Sequence, residues 1–304
     1  MIEARLRVQN SAYRPTFFFD KDLIMKYFKS FVVAIALIFG AFSSVFSQSK
    51  DIRYDEGDPK VFYDVITHAK GVSDLPINEL VTEIAKYFLG TPYVAGTLEY
   101  EPEMLTINMR ETDCILFVEM CTALAITAKM EHPSFDDYCN QIRNFRYRDG
   151  KVNGYTSRIH YTSEWIIQNN KRGYMTELSS VLGKPLDQKF SYMSTHPDSY
   201  KQLKNNPKGV AEIAVVERSL ENSGPYFYIP QEDIEANASK IKNGDIVCFR
   251  SNVAGLDISH VALAYWDNGE LKFIHASYKE KKVVVDRQTI ADYAKNGIRL
   301  VRLN

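Results

Sequence analysis

Net charge is almost absent from this chain: 37 Lys and Arg stand against 38 Asp and Glu, leaving −1 over 304 residues. Without a basic excess there is no general attraction to nucleic acid or anionic lipid, so neither is expected as a partner. A small or mixed-charge substrate held in a pocket is expected instead. Cysteine is scarce too, and Cys114, Cys121, Cys139 and Cys248 match neither a zinc-knuckle spacing nor a Cys-x-x-Cys pair. No His-x-x-x-His occurs among the 6 histidines, which weakens a zinc site, and no metal or other cofactor is expected. No internal repeat is apparent, and no apolar run approaches the ~20 residues that span a bilayer. What remains, 45% hydrophobic and 25% charged, is the composition of a globular enzyme rather than of a disordered chain or a coiled coil.

The N-terminus carries an address. Lys26 and Lys29 precede the apolar run Phe31–Phe42, and Ser43-Ser-Val-Phe-Ser-Gln48 follows it. A basic region, a short apolar core and small residues read as a secretory signal peptide over 1–47, with Val45 and Ser47 suiting the cleavage site before Gln48. Met25 would be the true start. Export, to a periplasm above all, and no membrane anchor after cleavage are the expectations. Residues 48–304 then form one domain, expected to be monomeric.

Within that domain the apolar residues of Asp74–Phe88 recur at a helical period until Gly90-Thr-Pro92 stops them. A second helix opens after Asp113, a good N-cap, and sets Ile115, Val118, Cys121, Thr122 and Ala125 on one face. The middle, about 130–240, is broken by Pro185, Pro197, Pro207 and Pro225. It reads as an insertion with helical fragments at Tyr161–Asn170 and Glu177–Val181. The C-terminal part is a run of short β-branched strands: Asp245–Arg250, Ser259–Tyr265, Leu271–His275, Lys282–Asp286 and Ile298–Arg302. Asp267-Asn-Gly269 between the second and third is a hairpin signal. Helices first and antiparallel strands after make an α+β fold.

Three residues converge on one chemistry. Cys114 follows the N-cap, where free amide hydrogens and the helix dipole favour a thiolate and could also hold an oxyanion. His260 starts one strand, His275 ends its hairpin partner, and pairing about the Asp267–Gly269 turn sets them roughly opposite. One imidazole can take the cysteine proton while the other orients it. Cys121 and Cys248 read as small core residues, and Cys139 could be either paired or buried.

At this point several segments, in order, resemble a known family. Gly90-Thr-Pro-Tyr-Val-Ala-Gly-Thr-Leu98, Glu111-Thr-Asp-Cys-Ile-Leu-Phe-Val-Glu119, Asn243-Gly-Asp-Ile246, Gly255-Leu-Asp-Ile-Ser-His-Val261 and Ile274-His-Ala-Ser277 resemble the N-acetylmuramoyl-L-alanine amidase-like family, within the NlpC-type papain-like cell-wall peptidases. Ser157–Tyr161 and Met193–Pro197 look like family segments as well. The resemblance implies a papain-like core, with the nucleophile helix packed on an antiparallel sheet, and a Cys114–His260–His275 triad. It implies that Tyr93 lines the site and helps position the oxyanion. The implied reaction is hydrolysis of the amide between N-acetylmuramic acid, perhaps in its 1,6-anhydro form, and L-alanine in soluble muropeptides. Arg158 is the candidate to meet substrate carboxylates, followed by Asn252 and His196 as polar pocket residues; a structural role suits Glu119. Asp113-Cys114-Ile115 departs from the superfamily's Asp-Cys-Ser, and the interval of 146 residues from Cys114 to His260 is long. Both features fit the amidase-like subfamily and speak against carrying over a γ-D-glutamyl–diamino-acid endopeptidase activity from minimal superfamily members. That endopeptidase and a non-catalytic peptidoglycan-binding protein are the alternative readings.

Overall fold

The structure, a computed structural model, describes residues 51–304, so the signal segment and Met25 lie outside the described residues. Among the described residues the longer helices are α1 (Gly57–Lys70), α2 (Ile77–Tyr87), α3 (Cys114–Ala128), α4 (Phe135–Arg146), α5 (Thr162–Lys171) and α6 (Pro207–Glu221). The main sheet holds β1 (Met175–Glu177), β2 (Ile246–Arg250), β3 (Ile258–Asp267), β4 (Glu270–Ser277), β5 (Lys282–Val285) and β6 (Ile298–Leu303). Its order is β1-β6-β2-β3-β4-β5, antiparallel throughout. This is an α+β fold. None of these helices is long and apolar enough to cross a membrane.

Period-2 alternation dresses both faces of the sheet. Ile246, Cys248, Val261, Leu263 and Ile274 join one core with α1–α5, while Val247, Phe249, Ala262, Ala264 and Phe273 join a second with Ile234, Ile290 and Ile298. The helix that opens at Cys114 departs from its expected single apolar face. α3 is buried on all sides from Leu116 to Ala125, because it runs between α1, α2 and α4 and the strands β3 and β4. Asp113 caps it as expected, accepting from the Leu116 amide at 3.0 Å.

The middle segment is less of an appendage than its prolines suggest. The residues of α4, which went unread in the sequence, pack Phe135, Tyr138, Ile142 and Phe145 into the first core. Glu177–Val181, expected as a helix, is split: Met175–Glu177 pairs with β6 as the sheet's edge strand, and only Ser179–Leu182 turns helical. Tertiary pairing overrides the local preference there. Beyond it, Tyr161, Phe190, Ile213 and Leu220 close a third, smaller core under α6.

Two details of the sheet bear on the site. Asn268 and Gly269 take φ of 50° and 86°, and Asp267 pairs with Glu270, so the expected two-residue hairpin turn forms. Between β2 and β3 the register shifts: Phe249 pairs with His260 but Arg250 with Ile258, leaving Ser259 as an extra residue. That bulge allows Ile258 and Val261 to face the same core, and it turns His260 to the other side.

Candidate active site

Cys114 is the first residue of α3 and keeps partial solvent access in an otherwise enclosed setting. It lines a cavity of about 200 Å³ with His260, Ser259, Thr162, Trp165 and His160. The amides of Val261, Ile115 and Cys114 itself approach the sulfur and favour the thiolate, yet burial and the Asp113 carboxylate outweigh them and push the thiol up to about 12. The helix start alone predicts the opposite direction; removal of water around the sulfur decides the sign. His260 moves the other way, down to about 3, because burial and the neighbouring His275 both disfavour a second proton. Both shifts favour the neutral forms, thiol and imidazole, over a thiolate–imidazolium pair.

The two histidines meet. His260 Nε2 and His275 Nδ1 are hydrogen-bonded at 2.7 Å, with the rings edge to face. Leu263 pairs with Ile274, so His275 stands on the diagonal from His260 rather than directly across, and the side chains bridge the offset. His275 is buried, and its remaining nitrogen, Nε2, lies 3.1 Å from Asp286 Oδ2 at the end of β5. That contact is off the ring N–H direction, which makes it a close electrostatic contact rather than a well-aligned hydrogen bond. Phe249 stacks on His260, and Tyr293 packs against both imidazoles. Two nitrogens 2.7 Å apart are also too close to share a tetrahedral zinc, which would hold them about 3.3 Å apart. Among the described residues no group of three or more His, Cys, Asp or Glu could hold a metal ion.

Of the other expected site residues, Tyr93 lies beside Cys114. Its backbone bridges Lys281 and Thr112, and burial followed by the charges of Cys114 and Asp113 pushes its phenol up to about 12. Arg158 is buried, but its charge is already matched. It donates to Glu103 at 2.7 and 3.1 Å, to Glu99 at 2.8 Å and to the Leu98 carbonyl at 3.1 Å. It lines a small cavity next to that of Cys114, with Asp113, Ile159 and His160, yet offers little free charge to a substrate carboxylate. Asn252 is exposed in a separate open cleft of about 600 Å³ beside Arg250 and Tyr228. His196 is exposed, stacks on Tyr192 and bonds locally to the Tyr192 carbonyl at 3.0 Å. These two are not brought to Cys114. Glu119 forms a buried pair with Arg146 at 2.9 Å. Cys121, Cys139 and Cys248 are free and buried.

Asp286, Tyr293 and His160 escaped the sequence reading. Asp286 ends an expected strand and His160 lies in a quoted segment, but nothing in local pattern gives either a partner. His160 Nε2 is 3.0 Å from the Tyr155 carbonyl, and burial followed by the Arg158 charge holds its titration down near about 3.

A thiol at a helix start that lines one cavity with His260, itself bonded to His275, supplies the groups that nucleophilic acyl transfer uses. Comparison with known proteins says which class of acyl-transfer enzyme to look among. Residues 83–298 match the family described as AmiA-like, N-acetylmuramoyl-L-alanine amidase-like, and the chain belongs to it. An N-acetylmuramoyl-L-alanine amidase from Bacteroides uniformis is 34% identical, with TM-score 0.69 over 75% of this chain and 99% of that one. A Bacteroides fragilis protein bearing the name xylanase is 39% identical, with TM-score 0.66 over 72% of this chain and 98% of that one. A Legionella pneumophila protein, 21% identical at TM-score 0.57 over 80% of this chain and 94% of that one, shares the fold alone. The comparison with curated proteins returns no match.

Proposed function

We propose that this protein is an exported cysteine amidase of papain-like type. On this reading it hydrolyses the amide between N-acetylmuramic acid, in its 1,6-anhydro form among others, and L-alanine in muropeptides, during peptidoglycan turnover. The observation that carries the reading is that Cys114 and His260 line one cavity, with His260 Nε2 held at 2.7 Å by the buried His275. Membership of the amidase-like family supplies the class of bond. The signal-like segment before Gln48 supplies the export.

The chemistry runs from the neutral pair. His260 takes the Cys114 proton as the sulfur attacks the amide carbonyl, and amides near the start of α3, with Tyr93 beside them, receive the developing oxyanion. The amine leaves with the proton from His260, and water then hydrolyses the thioester. Each step uses groups already lining or bordering the cavity.

The xylanase name of the Bacteroides fragilis relative does not favour a glycosidase here. Glycoside hydrolysis uses two free carboxyl groups flanking the scissile bond. The cavity of Cys114 and His260 has no Asp or Glu in its lining, and next door Glu119 and Glu99 are paired with Arg146 and Arg158.

The test is mass spectrometry of anhydro-muropeptides incubated with wild type and with Cys114→Ala, each with and without a chelator. Free peptide and intact sugar from wild type alone, unaffected by chelator, are expected. Cleavage within the stem would move the function to an endopeptidase. No product from any muropeptide would leave a peptidoglycan-binding protein as the better account.

A further inference from the structure

His275 spends one ring nitrogen on His260, and the direction of that hydrogen bond decides whether His260 can act as a base. If His260 Nε2 donates to His275 Nδ1, the Nδ1 of His260 carries a free lone pair. If the bond runs the other way, His260 Nδ1 carries the hydrogen and cannot take a proton from a thiol. The 2.7 Å separation fits either direction. The choice must come from the far nitrogen of His275, which is buried and has one anionic neighbour in contact, Asp286.

We propose that Asp286 is a positioning residue that sets the tautomers of the histidine pair. Its carboxylate, 3.1 Å from Nε2 though off the N–H direction, repels a lone pair on that nitrogen and so favours the hydrogen of His275 on Nε2. His275 Nδ1 must then accept, His260 Nε2 must donate, and the lone pair of His260 Nδ1 is left for Cys114. The carboxylate is itself held still: Asp286 Oδ1 accepts the Gln288 amide at 2.8 Å, and the Asp286 amide donates to Phe273 at 2.9 Å. Among the described residues Asp286 pairs with no Lys or Arg, so its charge is directed at the imidazole. Glu280 and Tyr293 also neighbour His275, the first through charge and the second through ring packing. The same carboxylate stabilises the imidazolium formed when the proton moves from Cys114 to His260.

The Gln288 amide makes the proposal sharp. In Asp286→Asn the side-chain oxygen stays on the Gln288 N–H, which turns the NH₂ group toward His275 Nε2. An N–H then faces Nε2 where a carboxylate oxygen did, which favours the lone pair there and reverses the hydrogen bond between the two histidines. The isosteric Asn is therefore expected to be worse than Ala, about 100-fold against about 10-fold in kcat/KM, with unfolding midpoints alike. Asp286→Glu restores part of the loss.

The deciding measurement is nitrogen-15 NMR of histidine-labelled protein at neutral pH, with assignment by His260→Gln and His275→Gln. Unprotonated Nδ1 on both rings in wild type, inverted in Asp286→Asn, is the expected result. Protonated Nδ1 on His260 in wild type, or Asn no worse than Ala in turnover, overturns the proposal. The inference rests on His260 acting as the base, but the spectrum needs no substrate. Expected tautomers without turnover of any muropeptide would sink the amidase reading, whereas turnover with reversed tautomers would sink the relay alone.

Discussion

Arg158 and Glu103 form a two-pronged pair, Nε to Oε1 at 3.1 Å and Nη2 to Oε2 at 2.7 Å, with both side chains almost fully buried. Glu99 adds a third contact from the same loop at 2.8 Å. The arginine thus fastens the 98–103 loop to the segment before α5, and its donors face inward.

Removing one member of such a pair leaves a buried charge uncompensated, which costs about 3–5 kcal/mol. Arg158→Met is expected to lower the unfolding midpoint by roughly 6–15 °C. Arg158→Lys, which cannot make two parallel bonds, should lose an intermediate amount. Thermal unfolding of the three proteins checks this. An unchanged midpoint together with a raised KM for muropeptides would instead return Arg158 to the substrate.

Acid should find His160. Its folded-state titration is pushed down to about 3 from the ordinary 6.5 of histidine, first through burial and then through Arg158. Between those two values the unfolded chain binds a proton that the folded chain refuses, so stability falls as pH drops below about 6.5. His160→Gln keeps a donor near the position of Nε2 for the Tyr155 carbonyl but cannot titrate. Its midpoint is expected to fall less steeply between pH 6.5 and 4 than that of wild type, and parallel slopes in the two proteins would refute the assignment.

The contrast between His275 and Asp286 shows what the chain states openly and what it conceals. His275 was legible because it lies a fixed number of residues from an Asn-Gly turn, and strand period does the rest. Asp286 belongs to the next strand, and its approach to His275 depends on β4–β5 register, which no local pattern records. The bulge at Ser259 is hidden for the same reason: only the pairing with Phe249 and Arg250 reveals the extra residue. That Cys114 opens a helix was written in Asp113-Cys114, since capping is local. Its acid strength was not, because that depends on how much water the surrounding cores exclude. Arg158 was found as a buried arginine, but its partners Glu99 and Glu103 lie nearly 60 positions away.

Gly244 ties α2 to the sheet. Its φ is +75°, and a Cβ added there would stand 2.0 Å from the Asn78 carbonyl oxygen. Around it Asn78 Nδ2 donates to the Asn243 carbonyl at 3.1 Å, and Asn243 Oδ1 accepts the Trp266 amide at 2.7 Å. Backbone, not a flexible side chain, must yield to any substitution. Gly244→Ala is expected to lose more than the about 1 kcal/mol that positive φ alone costs, with a correspondingly lower urea midpoint. Stability equal to wild type would show that α2 slides freely over this turn.

The opposite shifts of Cys114 and His260 give the most direct chemical test. Cys121, Cys139 and Cys248 are buried, so alkylation of the native protein by iodoacetamide reports Cys114. Burial, then Asp113, raises the thiol to about 12, and the amides of Val261, Ile115 and Cys114 recover only part of that. His260, lowered to about 3, offers no standing positive charge to hold a thiolate at neutral pH. Below its titration point a lone thiol gains thiolate about tenfold per pH unit, and the alkylation rate should climb with that slope from pH 6 to 9. His260→Ala should leave the slope in place, since the imidazole is already uncharged across that range. A plateau between pH 5 and 8 that disappears in His260→Ala would mean the opposite. Thiolate and imidazolium would then coexist at rest, and the attraction between them would exceed the burial that keeps each one neutral.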